Sequence, residues 1–99
     1  MLELDHSKIP RALVPLVPVA AKWGMGDDYE RESSIQRASP EELNRLVHSI
    51  DGIRDDDLFG WLGREESFNS NPTEEYVAFT NLTMAIDSAK LELKKRNRV

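Results

Sequence analysis

Residues 71–96 read NPTEEYVAFTNLTMAIDSAKLELKKR, and this stretch decides the fold. Asn71-Pro72-Thr73-Glu74 is a helix start, with a polar side chain to accept a free N–H and acids where the positive end of the helix dipole lies. Tyr76, Phe79, Leu82, Ile86, Ala89 and Leu93 then recur at three- and four-residue intervals, flanked by Val77, Thr83, Met84 and Ala85. The pattern predicts a helix of about 25 residues, roughly 37 Å long at 1.5 Å per residue. Its first half is apolar on most sides, so it is expected to be a central strut that other elements wrap. Lys90, Lys94, Lys95, Arg96 and Arg98 gather at the far end, where cations suit the dipole.

The rest of the chain reads as shorter helices. Ser39-Pro40-Glu41-Glu42 repeats the start signal, and Leu43, Leu46, Val47 and Ile50 follow at helical spacing up to Gly52. Asp27, with Glu30 three positions on, predicts another helix, largely exposed because Tyr29, Ile35 and Ala38 are its only apolar groups. A helix starting near Pro10 should break at Pro15 and Pro18 into pieces 10–14 and 15–23, with Gly24 as the stop. Leu13, Leu16, Val17, Ala20 and Trp23 give it an apolar stripe. A short helix over 56–62, capped by Asp55 and ended by Gly63, carries Leu58, Phe59, Trp61 and Leu62. The lead, residues 1–7, and the stretch REESFNSN (64–71) read as polar and non-helical. The expected architecture is all-α: a single domain, residues 1–99, in which four or five short helices pack around one long C-terminal helix.

Charge is distributed unevenly. Residues 27–75 hold fourteen acids against five bases, a net −9 within a chain of net −5. Some of these acids cap helices, so the imbalance is partly structural. An acidic chain is repelled by nucleic acid and by anionic membrane, and neither is an expected ligand. The chain has no Cys, which excludes disulfides, thiolate metal sites and a cysteine nucleophile, and favours the cytoplasm. ALVPLVPVAA (12–21) follows Lys8 and Arg11 as a signal peptide's apolar core would. Glu3 and Asp5 in the basic region, and two prolines in the core, argue against that reading.

Catalytic machinery is not legible. The histidines are His6, in the lead, and His48, off the stripe of its helix, and neither belongs to a zinc-binding motif. The carboxylate clusters lack any sign of the unequal burial that separates an acid from a base. Counting twelve residues from Asp55 puts Asp57, Gly60, Leu62 and Glu66 at calcium-loop positions, but Phe59 and Trp61 stand where a ligand loop needs oxygen and look like core. Asn81-Leu82-Thr83 matches a glycosylation sequon in the middle of a helix, and Gly24-Met25-Gly26 lacks the length and the lysine of a phosphate loop. No enzyme activity, cofactor or metal is expected. The remaining signal is a rigid domain with acidic surface, which predicts binding to a basic protein partner, as an immunity or antitoxin-type inhibitor would bind its target. The contacts are expected from Asp27, Asp28, Glu30, Glu32, Asp55, Asp56 and Asp57, with Phe68 as an aromatic anchor beside Glu65 and Glu66. The alternative is a structural or assembly module, a homodimer formed through residues 76–93.

Overall fold

Three prolines set how the chain enters the fold. The computed structural model describes residues 4–68 and 71–97. Arg11–Leu16 is a 3-10 segment that begins after Pro10 and contains Pro15. The chain widens into α1, Val17–Trp23, with Pro18 in the first turn, where a missing N–H costs nothing. The change of helix type therefore falls at 16/17, two residues later than expected, because the tighter 3-10 coil accommodates Pro15. Leu13, Leu16, Ala20 and Trp23 are buried, as the stripe requires.

Gly24 does end α1, but not as a left-handed cap: its φ is −96°. Glycine is required there because α5 passes so close. A Cβ at residue 24 would lie 2.1 Å from the Ala78 carbonyl oxygen, and Asn81 Nδ2 donates to the Gly24 carbonyl at 3.0 Å.

α2 spans Asp28–Arg37 and is capped by Asp27, whose Oδ1 accepts from the Glu30 N–H. α3 spans Pro40–His48, with Ser39 Oγ accepting from the Glu42 N–H. α5 spans Glu74–Arg96, with Thr73 Oγ1 accepting from the Tyr76 N–H. The first two starts are those the sequence predicts; the third falls two residues later than the Asn71-Pro72 signal places it, with Thr73 rather than Asn71 as the cap. Gly52, at φ 87°, turns the chain after α3.

The segment after Asp55 departs from expectation. A π-helical turn over Asp56–Gly60 runs directly into α4, Trp61–Phe68. Asp55 makes no side-chain cap there, its backbone being already helical. Gly63 keeps a right-handed backbone and lies inside α4 rather than ending it. Residues 64–68, expected as polar loop, continue α4 instead. Arg64 and Glu65 are good helix formers, and Arg64 Nη1 reaches back to Asp56 Oδ1 at 4.0 Å.

α1, α2, α3 and α4 all pack on α5. Phe79, Leu82 and Ile86 form the strut's buried face, meeting Leu13, Ile35, Leu43, Leu46 and Leu58. Trp61 stands edge-on to Phe79, centroids 5.6 Å apart. The result is the all-helical bundle around a long C-terminal helix that the apolar spacing predicts. The lead is less loose than its polarity suggests: Leu4 and Ile9 are buried, and His6–Lys8 forms a 3-10 turn between them. No helix among the described residues is long and apolar enough to cross a membrane.

Candidate functional site

α2 carries the first acidic cluster. Asp27 is occupied as the helix cap, and Asp28 pairs with Arg31 one turn on. Glu32 Oε1 accepts from Ser88 Oγ of α5 at 2.7 Å, so it also fixes α2 against the strut. Glu30 is exposed. Tyr29, in the midst of these acids, is 80% exposed. As an aromatic residue it is expected in or near the core, but Arg31 and Ile35 take the inward face of α2 instead.

The second cluster lies on the π turn. Asp55 and Asp56 are exposed and Asp57 is half-buried. Phe59, expected in the core, is 50% exposed, whereas Leu58 and Trp61 are buried. The wider π turn changes the angular step between neighbours, so the packed side chains are Leu58 and Trp61 while Phe59 reaches solvent. The twelve residues counted as a calcium loop are helical from Asp55 onward. The side chain of Phe68, expected as an anchor, lies outside the described residues.

These clusters rest on different supports. α2 packs on α5, while the π turn packs on Arg11–Leu16 and α4. Each cluster nevertheless combines exposed carboxylates with an exposed aromatic ring, an arrangement that residue type alone does not reveal.

A third feature was not anticipated at all. The end of α1, the inner edge of α2 and the first turn of α3 enclose an open cleft of about 450 Å³. Trp23, Met25 and Ala38 supply its apolar wall, Lys22, Arg31 and Arg37 its cations, and Glu30 and Glu42 its acids. The Lys22 ammonium lies 5.3 Å from the Trp23 ring centroid and 3.8 Å from Glu42 Oε2, closing one side. Arg31 is the unusual member. Its side chain is 5% exposed, and Nη1 is buried with no hydrogen-bond partner among the described residues. An unsatisfied buried donor costs about 1–3 kcal/mol. The periodicity of α2 does not announce this burial, since a lone arginine in a polar helix reads as surface.

Chemically, the arrangement offers carboxylates and rings for contact and one guanidinium-lined cleft for a small ligand. Among the described residues no three His, Cys, Asp or Glu side chains gather as a metal site. His48, expected at the surface, is exposed and its Nδ1 lies 2.7 Å from Asp51 Oδ2. No protein-family model, curated protein or solved structure matches this chain.

Proposed function

We propose that this domain is a non-catalytic protein-binding module whose acidic surface engages a basic protein partner, in the manner of an immunity or antitoxin-type inhibitor. The observation that carries the reading is Tyr29, 80% exposed between Asp28 and Glu30 on a capped helix. An exposed aromatic ring ringed by charge is the side-chain combination that anchors interfaces: the ring supplies buried area, and the surrounding carboxylates steer a cationic surface onto it. Phe59, beside Asp55 and Asp56, repeats the combination. The cytoplasm belongs to the proposal on the strength of a chain without Cys.

The test is affinity capture with the full chain, identification of what is retained, and titration of the recovered partner. A basic partner released by about 0.5 M salt is expected. Tyr29→Ala should weaken it at least ~10-fold with the fold unchanged by circular dichroism. A partner that is not basic, or one that Tyr29→Ala and Phe59→Ala both bind as tightly as the unmutated chain does, would end the reading.

One observation favours a second reading. Val77, Met84 and Leu91 stand at seven-residue intervals on α5, and all three are exposed. Side chains seven apart lie nearly in line along a helix. An antiparallel second copy centred on Met84 would set Val77 against Leu91 and Glu74 against Lys94, an isologous pairing in which both apolar and charged groups match. Sedimentation separates the readings. A dimer that persists in salt and dissociates on Met84→Lys supports self-association, and a monomer leaves the acidic binder.

A further inference from the structure

The cleft between α1, α2 and α3 has a chemistry that neither reading uses. In a chain of net −5, its wall brings together Lys22, Arg31 and Arg37. We propose that it binds a small oxyanion, the carboxylate or phosphate group of a small molecule, on the unpaired edge of the Arg31 guanidinium.

Three observations lead there. First, Asp28 takes Arg31 Nη2, leaving Nη1 buried and without a partner among the described residues. A guanidinium presents donors in a planar fork that matches the two oxygens of a carboxylate or phosphate. An arginine held for packing alone would bury its stem and keep its head in water; here the head is buried along with the stem. Second, Arg37, on the same edge of α2, has no ion-pair partner among the described residues, so its charge is free to act on a ligand. Third, the Lys22–Glu42 pair at the rim is long, at 3.8 Å, with Lys22 largely solvated and Glu42 partly so, so it can reorganise around an incoming anion. Trp23 and Met25 supply an apolar wall for the body of such a ligand. Glu30 and Glu42 in the lining set the limit. With Asp28 on Arg31 they offset the three cations, so recognition rests on the unpaired Arg31 donor rather than on net charge, which suits one small anionic group and not a polyanion.

The test is a nitrogen-15 NMR titration of the full chain with sodium phosphate and, separately, sodium acetate, against sodium chloride at matched ionic strength. The reporters are Arg31 Nε–H, the Trp23 indole N–H and the amides of residues 34–38. Saturable shifts confined to these groups are expected, with half-saturation near ~1 mM. Whichever anion saturates first identifies the head group. Arg37→Gln should raise the half-saturation at least ~5-fold, while Lys90→Gln, the same loss of charge at an exposed position outside the cleft lining, should leave it unchanged. Arg31→Lys keeps the charge but removes the fork, and should abolish saturation. If it unfolds, the Arg37 and Lys90 pair still decides. Shifts no larger than those in chloride up to ~20 mM, or equal effects of Arg37→Gln and Lys90→Gln, would overturn the proposal and leave Nη1 a buried donor without a ligand.

Discussion

The Asp5 N–H donates to Glu75 Oε2 at 2.9 Å, joining residues seventy apart in sequence. Glu75 lies in the first turn of α5 and is buried, so one carboxylate both faces the positive end of the strut's dipole and holds the 4–9 segment onto it. Glu75→Ala removes the acceptor and should cost about 1–3 kcal/mol. Glu75→Gln keeps an amide oxygen within reach and should cost less. Urea unfolding of both variants checks the order, and amide exchange at Asp5 should speed up in the alanine variant. Equal costs would assign the effect to packing rather than to the bond.

Asp5 itself ties the same segment to pH. Its carboxyl titrates below its ordinary value, first because Ser7 Oγ donates to it and second because the Ser7 N–H does. A carboxylate whose pKa is lower folded than unfolded adds stability above the unfolded pKa and loses it as pH falls through the folded one. Ser7→Ala should therefore raise the Asp5 pKa, read by carbon-detected NMR titration, and should flatten the acid limb of stability below about pH 4. An unmoved Asp5 pKa would mean that the Ser7 hydroxyl bond does not form in solution.

The helix starts at Asp27 and Ser39 were legible because a cap is a local code, one side chain and one N–H three residues on, and the start of α5 was legible to within two residues because Asn71 and Thr73 both offer a capping side chain. The stripe of α5 was legible because burial there follows the helical period. Legibility failed where a residue's role is decided by something distant or by backbone geometry. Gly63 looked like a stop, yet a glycine ends a helix only where the surrounding structure turns the chain, as α5 does at Gly24, and the chain stays helical through Gly63. Tyr29 and Phe59 looked like core because they are large and apolar, while their exposure depends on which face α2 and the π turn present to α5 and α4. Arg31 looked like surface, and only the meeting of three helices buries it. The acids of the candidate site were visible as a charge count, but their engagement with Arg31, Ser88 and Arg64 was not.

Gly24 and Gly63 turn one substitution into opposite outcomes. Gly24→Ala drives a Cβ into the Ala78 carbonyl, and backbone cannot step aside as a side chain can. It should destabilise by about 3 kcal/mol or more and force α1 away from α5. Gly63 lies inside α4 with open space where a Cβ would go. Alanine there should stabilise by about 0.5–1 kcal/mol, because it lowers the entropy of the unfolded chain. Thermal unfolding of the two single variants tests both signs. A stabilising Gly24→Ala would refute the close approach of α1 to the strut, and a destabilising Gly63→Ala would refute a continuous α4.

Arg96 closes the opposite end of the bundle. Its Nη1 donates to the Ala38 carbonyl at 2.9 Å, its Nη2 to the Gln36 carbonyl at 3.0 Å, and its Nε to Glu92 Oε1 at 3.1 Å. The two carbonyls belong to the end of α2, where a helix leaves acceptors without internal partners and where its dipole is negative. In sequence this arginine reads as one more solvated cation at a helix terminus; in the fold it is the cap of another helix. Arg96→Ala should cost about 1–2 kcal/mol, less than a fully buried charged bond because the group is partly solvated. Arg96→Lys keeps the charge but can satisfy only one carbonyl at a time, and should recover less than half of that loss. Urea unfolding of both variants, with amide exchange at Ala38, whose N–H donates to the Ile35 carbonyl, provides the measurement. Full rescue by lysine would reduce the interaction to the dipole alone, and no loss in the alanine variant would dissolve the fork.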